Sequence, residues 1–139
     1  MKFISIIGAI MALSGCISTG KVDTEALKYS AWQLQSINGQ NIAQLQSDAG
    51  LGKKPINIRF IDALQVNGFA GCNRFFGEGE IVEGQLKVKN LGMTRKYCGE
   101  EIAQVESQLI NQLQIGVLLE VNANKLTLKG KPQFSFIKQ

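Results

Sequence analysis

Hydrophobic and polar residues alternate along several short stretches of the chain, and this period of two is typical of half-buried β-strands. Ile56, Ile58 and Phe60 alternate with polar residues and predict one strand, with residues 64–69 as its hairpin partner. Residues 32–35 alternate before Asn38-Gly39, a strong turn signal. Residues 41–55 are weakly patterned and predict a loop with one helical turn. Further strands are predicted at residues 81–82, 86–89, 117–121, 125–128 and 133–137.

One stretch has the helical period instead. Ile102, Val105, Leu109 and Leu113 are spaced by three, four and four residues, which puts them on one face of an α-helix. Gly116 stands where a glycine commonly ends a helix, so we predict an amphipathic helix over about residues 100–115 that packs across the sheet. The fold class predicted is therefore mainly β (α+β), a small antiparallel barrel-like curved sheet with one helix packed on it.

The first sixteen residues carry a targeting pattern. Lys2 precedes an uncharged, largely apolar run at residues 3–13, which is too short to span a membrane and fits a secretory signal peptide. The run ends in Leu13-Ser14-Gly15-Cys16, which resembles the bacterial lipobox, where the cysteine is acylated. The resemblance implies a lipoprotein signal peptide at residues 1–15 and a lipidated N-terminus and tether at residues 16–28. An ordinary secretion signal with an incidental cysteine is the alternative.

The lipobox resemblance also predicts where the protein resides. A lipid on Cys16 makes the membrane a partner through the N-terminus. The next residue is Ile17, whereas an aspartate at this position retains bacterial lipoproteins in the inner membrane. In a source with two membranes, the expected location is therefore the outer membrane of the cell envelope, facing the periplasm.

The two remaining cysteines, Cys72 and Cys98, would lie in an oxidising compartment, where disulfides persist. A bond between them would close a loop of roughly 27 residues and stabilise the fold by about 3.5 kcal/mol in the chain-entropy model. Two free buried thiols are the alternative. Their spacing does not suit a CxxC redox pair, and two cysteines without histidine cannot complete a tetrahedral zinc site.

Composition narrows the possible chemistry. The chain has 139 residues, enough for one domain with a hydrophobic core. Fifteen Lys and Arg against eleven Asp and Glu give a net charge of +4, and the basic residues are scattered, so no nucleic-acid partner is predicted. The chain has no histidine, which excludes Ser-His-Asp and Cys-His catalytic pairs and every histidine-containing metal site. We predict no metal site and no cofactor.

A hydrolase with paired carboxylates is a further hypothesis. Glu78 with Glu80, or Asp62 with Glu83, would supply the pair. General acid–base catalysis also needs two environments that push the pKa values of such a pair apart, whereas a glycine-rich segment favours solvated carboxylates. We therefore predict a protein that is not an enzyme.

Two segments, residues 67–79 and 93–98, each contain one of the two cysteines among residues that look like a sequence motif. Their glycines predict tight bends or close backbone approach, and Asn73 follows a Gly-Cys bend where its side chain can bond nearby backbone. Thr94 and Arg95 precede the second cysteine, so a disulfide would bring both segments together. We predict that Asn73 and Thr94 hold this corner by hydrogen bonds to backbone. The planar fork of Arg95 either bonds carbonyls there or faces outward to capture an anion or a carboxylate.

These segments resemble the META domain family. The family pattern W-x-L-x-S-x-N-G matches residues 32–39, G-x-x-x-CN-x-F-x-G matches residues 68–77, M-T-R-x-x-C matches residues 93–98, and the late L-T-L strand matches residues 126–128. The order and spacing hold across the mature chain and place the domain at residues 29–139. Phe76 departs from the pattern, because a smaller residue is usual there.

The resemblance implies a mainly β, barrel-like domain on the periplasmic side of the envelope, with roles in the heat-shock response and in tolerance to novobiocin. Its motif marks Gly71, Asn73, Gly77, Thr94 and Arg95 as structural or binding candidates. We expect a non-enzymatic, monomeric envelope lipoprotein that acts by binding an envelope protein or supporting the envelope. The alternative is a small-ligand or lipid-binding β-barrel carrier in the periplasm, which would need a cavity of roughly 300 Å³ or more.

Overall fold

The structure, a computed structural model, describes residues 22–49 and 54–139. The signal peptide predicted at residues 1–15 and Cys16, the predicted site of lipid attachment, lie outside these residues. Three α-helices are present in the described part, and a short 3₁₀-helix spans Asp62–Leu64. The α-helices are α1 (Thr24–Leu27), α2 (Ile42–Ala49) and α3 (Glu100–Ile115). The strands are β1 (Ser30–Ile37), β2 (Gln40–Asn41), β3 (Asn57–Phe60), β4 (Gln65–Phe69), β5 (Arg74–Val82), β6 (Gln85–Met93), β7 (Val117–Asn122), β8 (Lys125–Leu128) and β9 (Phe134–Lys138).

The strands close into a barrel. They pair antiparallel in the order β2-β1-β3-β4-β5-β6-β7-β8-β9, and β1 also pairs with β9. This last pairing joins eight strands in a ring and leaves β2 as a two-residue extension of the hairpin after β1. Closure removes the unpaired edges that an open sheet would expose. The predicted mainly β, barrel-like fold with one long helix is confirmed.

Alternating residues of the eight strands in the ring fill the barrel interior. Ile58 and Phe60 of β3 are fully or almost fully buried, while Arg59 between them is exposed. The largest fully buried side chains are aromatic and aliphatic, and each contributes roughly 1.5–3 kcal/mol of burial free energy. They include Trp32, Phe60, Phe75, Phe134 and Phe136. Packed side chains therefore occupy the space that a ligand would occupy in a carrier barrel.

The N-terminal segment is tied to this core. Leu27, the last residue of α1, is fully buried. The Ser30 hydroxyl donates to the Leu27 carbonyl at 2.5 Å and accepts from the Trp32 indole N–H at 2.7 Å. Packing therefore begins within the segment predicted as a tether, residues 16–28.

Helix α3 ends where Gly116 predicts. Gly99 and Gly116 flank it with φ values of 106° and 102°, and the Gly116 N–H donates to the Gln112 carbonyl. Leu109 and Leu113 of its apolar stripe are fully buried and face the barrel. The predicted helix over residues 100–115 is confirmed. In residues 22–49 and 54–139, no helix has the length and hydrophobicity to cross a membrane.

The prediction for residues 41–55 was wrong in part. Residues 42–49 form an eight-residue helix, α2, where a loop with a single turn was expected. The Asn41 side chain accepts from the Ala43 N–H at 2.9 Å and caps the helix, while Ile42 and Leu45 pack against the core. The signal for this helix was the asparagine before a short amphipathic stretch.

Candidate functional site

The disulfide corner is the region where the turn after β4 meets the segment between β6 and α3. Cys72 lies in that turn, and a disulfide joins it to Cys98 with a Cα–Cα distance of 5.7 Å. This separation is within the usual range for a disulfide. Cys72 is buried and Cys98 is exposed, so the bond fastens a surface segment to the barrel.

Asn73 is the centre of a hydrogen-bond network in this corner. Its side chain is buried, with 3% of its surface exposed. Its Oδ1 accepts from the Thr94 hydroxyl at 2.8 Å and from the Lys96 N–H at 2.7 Å. Its Nδ2 donates to the Lys96 carbonyl at 3.0 Å and to Glu106 Oε1 at 2.7 Å. The amide thus uses both donors and both acceptor sites, on partners more than twenty residues away in sequence.

Thr94 continues the pairing of β5 with β6 beyond the last strand residue. Its Oγ1 accepts from the Arg74 N–H at 3.1 Å, and its own N–H donates to the Arg74 carbonyl at 3.0 Å. The same hydroxyl donates to Asn73, so it connects two backbone segments through one side chain.

Glu106, on helix α3, is the member of the corner that sequence reasoning missed. Its Oε2 accepts from the backbone N–H groups of Cys72 and Asn73, at 3.1 and 2.6 Å. Only 8% of its surface is exposed, and it makes no ion pair within the described ranges. Three N–H donors therefore replace the water that a buried carboxylate loses. The signal was in the sequence: Glu106 lies four residues after Ile102, on the helix stripe that faces the barrel.

Both motif glycines have structural reasons. Gly71 has a φ of +127°, which other residues rarely adopt, and an added Cβ would lie 3.2 Å from Ile102 Cγ2. Gly77 lies inside β5, where an added Cβ would come within 2.4 Å of Val88 Cγ1. Gly71 thus shapes the turn, whereas Gly77 permits close approach of β6.

Arg95 and Tyr97 face solvent from this fixed frame. Asn73 holds the segment at Thr94 and Lys96, on either side of Arg95. Arg95 is exposed and makes no ion pair with any described residue, and 80% of the Tyr97 surface is exposed. Of the two orientations predicted for Arg95, the structure therefore has the one in which the side chain faces outward.

The carboxylates considered for a hydrolase lie elsewhere. Glu78 accepts a long hydrogen bond from Asn90 at 3.4 Å on the outside of the barrel, and Glu80 pairs with Lys89 at 2.5 Å. Asp62 and Glu83 are both exposed, and neither is part of the corner. Across residues 22–49 and 54–139, no three Cys, Asp or Glu side chains are grouped so as to hold a metal ion.

The sequence motifs that lie in the disulfide corner also lie in the region that matches when the chain is compared with family models. The model for the META domain matches residues 25–139. The chain belongs to the META domain family. Over 135 residues it is 32% identical to the heat shock protein HslJ of Escherichia coli (strain K12), an alignment that covers 95% of this chain and 91% of that protein.

Solved structures share this fold. One NMR structure is 29% identical, superimposes with a TM-score of 0.70, and covers 84% of this chain and 95% of its own. An NMR structure of a protein from Burkholderia xenovorans is 20% identical with a TM-score of 0.58, covering 100% of this chain and 98% of its own. The second likeness shows the fold alone.

Proposed function

We propose that this META domain protein is a lipid-anchored envelope protein that supports stress tolerance by binding a protein partner, without catalysis. The observation that carries the proposal is the disulfide corner, which fixes the backbone of residues 94–98 while Arg95 and Tyr97 point into solvent. The likeness to a protein named for heat shock supports the stress role.

A rigid frame with outward side chains suits recognition. Binding requires side chains and loops at the interface to lose freedom, and a segment that is already ordered loses less. Tyrosine and arginine are among the residues that contribute most to protein interfaces. Because the disulfide and Asn73 both hold this segment, Arg95 and Tyr97 can meet a partner with little further ordering.

The filled interior favours a surface-binding role over the carrier alternative. A carrier of this fold would hold its ligand among the inward side chains of the strands. Those positions are occupied by aromatic and branched residues with almost no exposed surface. A ligand inside the barrel would have to displace this core.

The anchor and location belong to the same proposal. The Leu13-Ser14-Gly15-Cys16 sequence supports acylation of Cys16, and Ile17 supports transfer to the outer membrane, with the domain in the periplasm. Mass spectrometry of the mature N-terminus should find an acylated cysteine, and Cys16→Ala should abolish membrane fractionation. A mature N-terminus at another residue would contradict the anchor.

Complementation of a deletion strain tests the function. The double variant Arg95→Ala/Tyr97→Ala should keep wild-type abundance and melting temperature, because both side chains are exposed, yet fail to restore growth under heat or novobiocin. Lys125→Ala/Tyr29→Ala is the matched control, since it removes one exposed cation and one exposed tyrosine elsewhere. Full tolerance with the Arg95/Tyr97 variant would overturn the proposed interface.

A further inference from the structure

A basic groove of about 540 Å³ lies across the outer face of β3, β4 and β5. Strand register puts two rows of outward side chains along it. Asn57, Phe69 and Arg74 form one row, and Arg59, Asn67 and Phe76 form the next. The groove adjoins the disulfide corner, because the backbone N–H of Arg74 is bonded to the Thr94 hydroxyl.

The charge in this groove has one sign. Lys54, Arg59 and Arg74 line it, and no carboxylate is among the lining residues of the described chain. Neither arginine has an acidic partner within ion-pair distance in residues 22–49 and 54–139. The Lys54 ammonium lies 5.9 Å from the Phe69 ring centroid, a cation–π distance. Two guanidinium groups are therefore free to bind carboxylates through paired N–H donors.

Apolar and amide groups lie between these cations. Phe76 is 63% exposed, and its ring covers Gly92 of β6, where an added Cβ would come within 2.6 Å of Cζ. Asn57 and Asn67 present amides that can both donate to and accept from a peptide backbone. The groove thus offers partners for carboxylates, backbone amides and an apolar side chain along three adjacent strands.

We propose that this basic groove binds an acidic segment of the partner protein, an extended chain whose Asp or Glu residues flank an apolar side chain. The inference rests on the proposed function, because it names the chemistry of the partner. Carboxylates pair with Arg59 and Arg74, and the apolar side chain packs against Phe69 and Phe76.

Charge complementarity excludes the chain's own remaining segments as the occupant. Residues 1–21 and 50–53 contain no Asp or Glu, so they cannot supply the carboxylates. A small anion would leave much of its surface in water, because the groove is open along its length.

Fluorescence anisotropy with a defined peptide tests the proposal. The probe is a fluorescein-labelled peptide in which four Asp or Glu residues flank one Phe, and the protein is the full mature lipoprotein in non-ionic detergent. Arg59→Glu/Arg74→Glu should weaken binding by on the order of tenfold or more, and added salt should weaken binding to the wild type. Lys125→Glu/Lys131→Glu, which changes the net charge equally outside the groove, should bind within about twofold of the wild type. A peptide with Lys in place of its acidic residues should prefer the Arg59→Glu/Arg74→Glu variant.

Three results would overturn the groove as an acidic-peptide site. One is equal loss in both double variants, which would reflect net charge alone. Another is no binding of the acidic peptide to the wild type at about 1 mM. The third is arginine-dependent binding of phosphatidylglycerol vesicles, or arginine-dependent self-association, without peptide binding. None of these three results depends on the complementation test with Arg95→Ala/Tyr97→Ala. The two experiments therefore distinguish failure of the acidic-peptide proposal from failure of the proposed function.

Discussion

The two halves of helix α3 bury polar side chains in different ways. Glu106, in the first half, is 8% exposed and accepts hydrogen bonds at both carboxylate oxygens. Gln112, in the second half, is 6% exposed and donates to the Pro132 carbonyl at 2.7 Å, but its Oε1 has no hydrogen-bond partner among the described residues. A buried polar atom without a partner costs roughly 1–3 kcal/mol. The buried polar side chain in the first half of the helix is therefore fully hydrogen-bonded within the disulfide corner. The one in the second half keeps an oxygen without a hydrogen-bond partner.

Glu106 and Gln112 therefore contribute to the packing of α3 in two different ways. At Glu106 the helix bonds the turn that carries Cys72 and Asn73, so the polar contact helps fix the corner that presents Arg95. At Gln112 the side chain lies over Gly130, where an added Cβ would come within 2.2 Å of Oε1, and it mainly fills space. Changes to the first contact should therefore cost more stability than changes to the second.

Asn73→Asp should have the largest effect. The substitution keeps the shape but puts a second carboxylate where Nδ2 now donates to Glu106 Oε1 at 2.7 Å. A buried repulsive pair should destabilise the fold by about 3–5 kcal/mol at neutral pH, measured by urea unfolding. The loss should shrink as pH falls, because protonation of either carboxyl restores a donor between the two groups. A loss that does not change with pH would show that the contact is not made.

Removal of the disulfide should come next. Cys72→Ala/Cys98→Ala opens a loop of roughly 27 residues and should lower the free energy of unfolding by about 3.5 kcal/mol. The hydrogen bonds of Asn73 and Glu106 remain, so the variant should still fold. The NMR amide resonances of α3 should stay at their wild-type positions. A change below about 1 kcal/mol would mean that the network alone defines the corner.

Glu106→Gln should cost less than either. One amide oxygen can still accept from the Cys72 and Asn73 N–H groups, but the new NH₂ faces the Nδ2 of Asn73, donor against donor. The expected loss is about 1–3 kcal/mol in urea unfolding. Glu101→Gln, an exposed change in the first turn of the same helix, should stay within about 0.5 kcal/mol of the wild type. Equal effects of the two changes would contradict the network.

The same contrast explains which features can be predicted from the sequence and which cannot. Alternation at Ile56–Ile58–Phe60 and the stripe through Leu109 and Leu113 predict the strands and the helix, because these periods reflect which side faces the core. The bonds of Asn73 to Thr94, Lys96 and Glu106 span 21 to 33 residues, and they exist only after the barrel closes and α3 packs on it. The basic groove likewise depends on register, which places Arg59 and Arg74 on the two sides of β4 in neighbouring rows.

Gln112→Met should have the smallest effect and tests the other half of the comparison. Methionine is close in volume, so it can occupy the space over Gly130 without a cavity or a clash. The substitution removes the unpartnered Oε1, which favours the variant, and it also removes the donor to the Pro132 carbonyl, which favours the wild type. These two effects are similar in size, so the free energy of unfolding should change by less than about 1 kcal/mol. A loss as large as that of Glu106→Gln would mean that both halves of α3 depend on their polar contacts, and the distinction between them would fail.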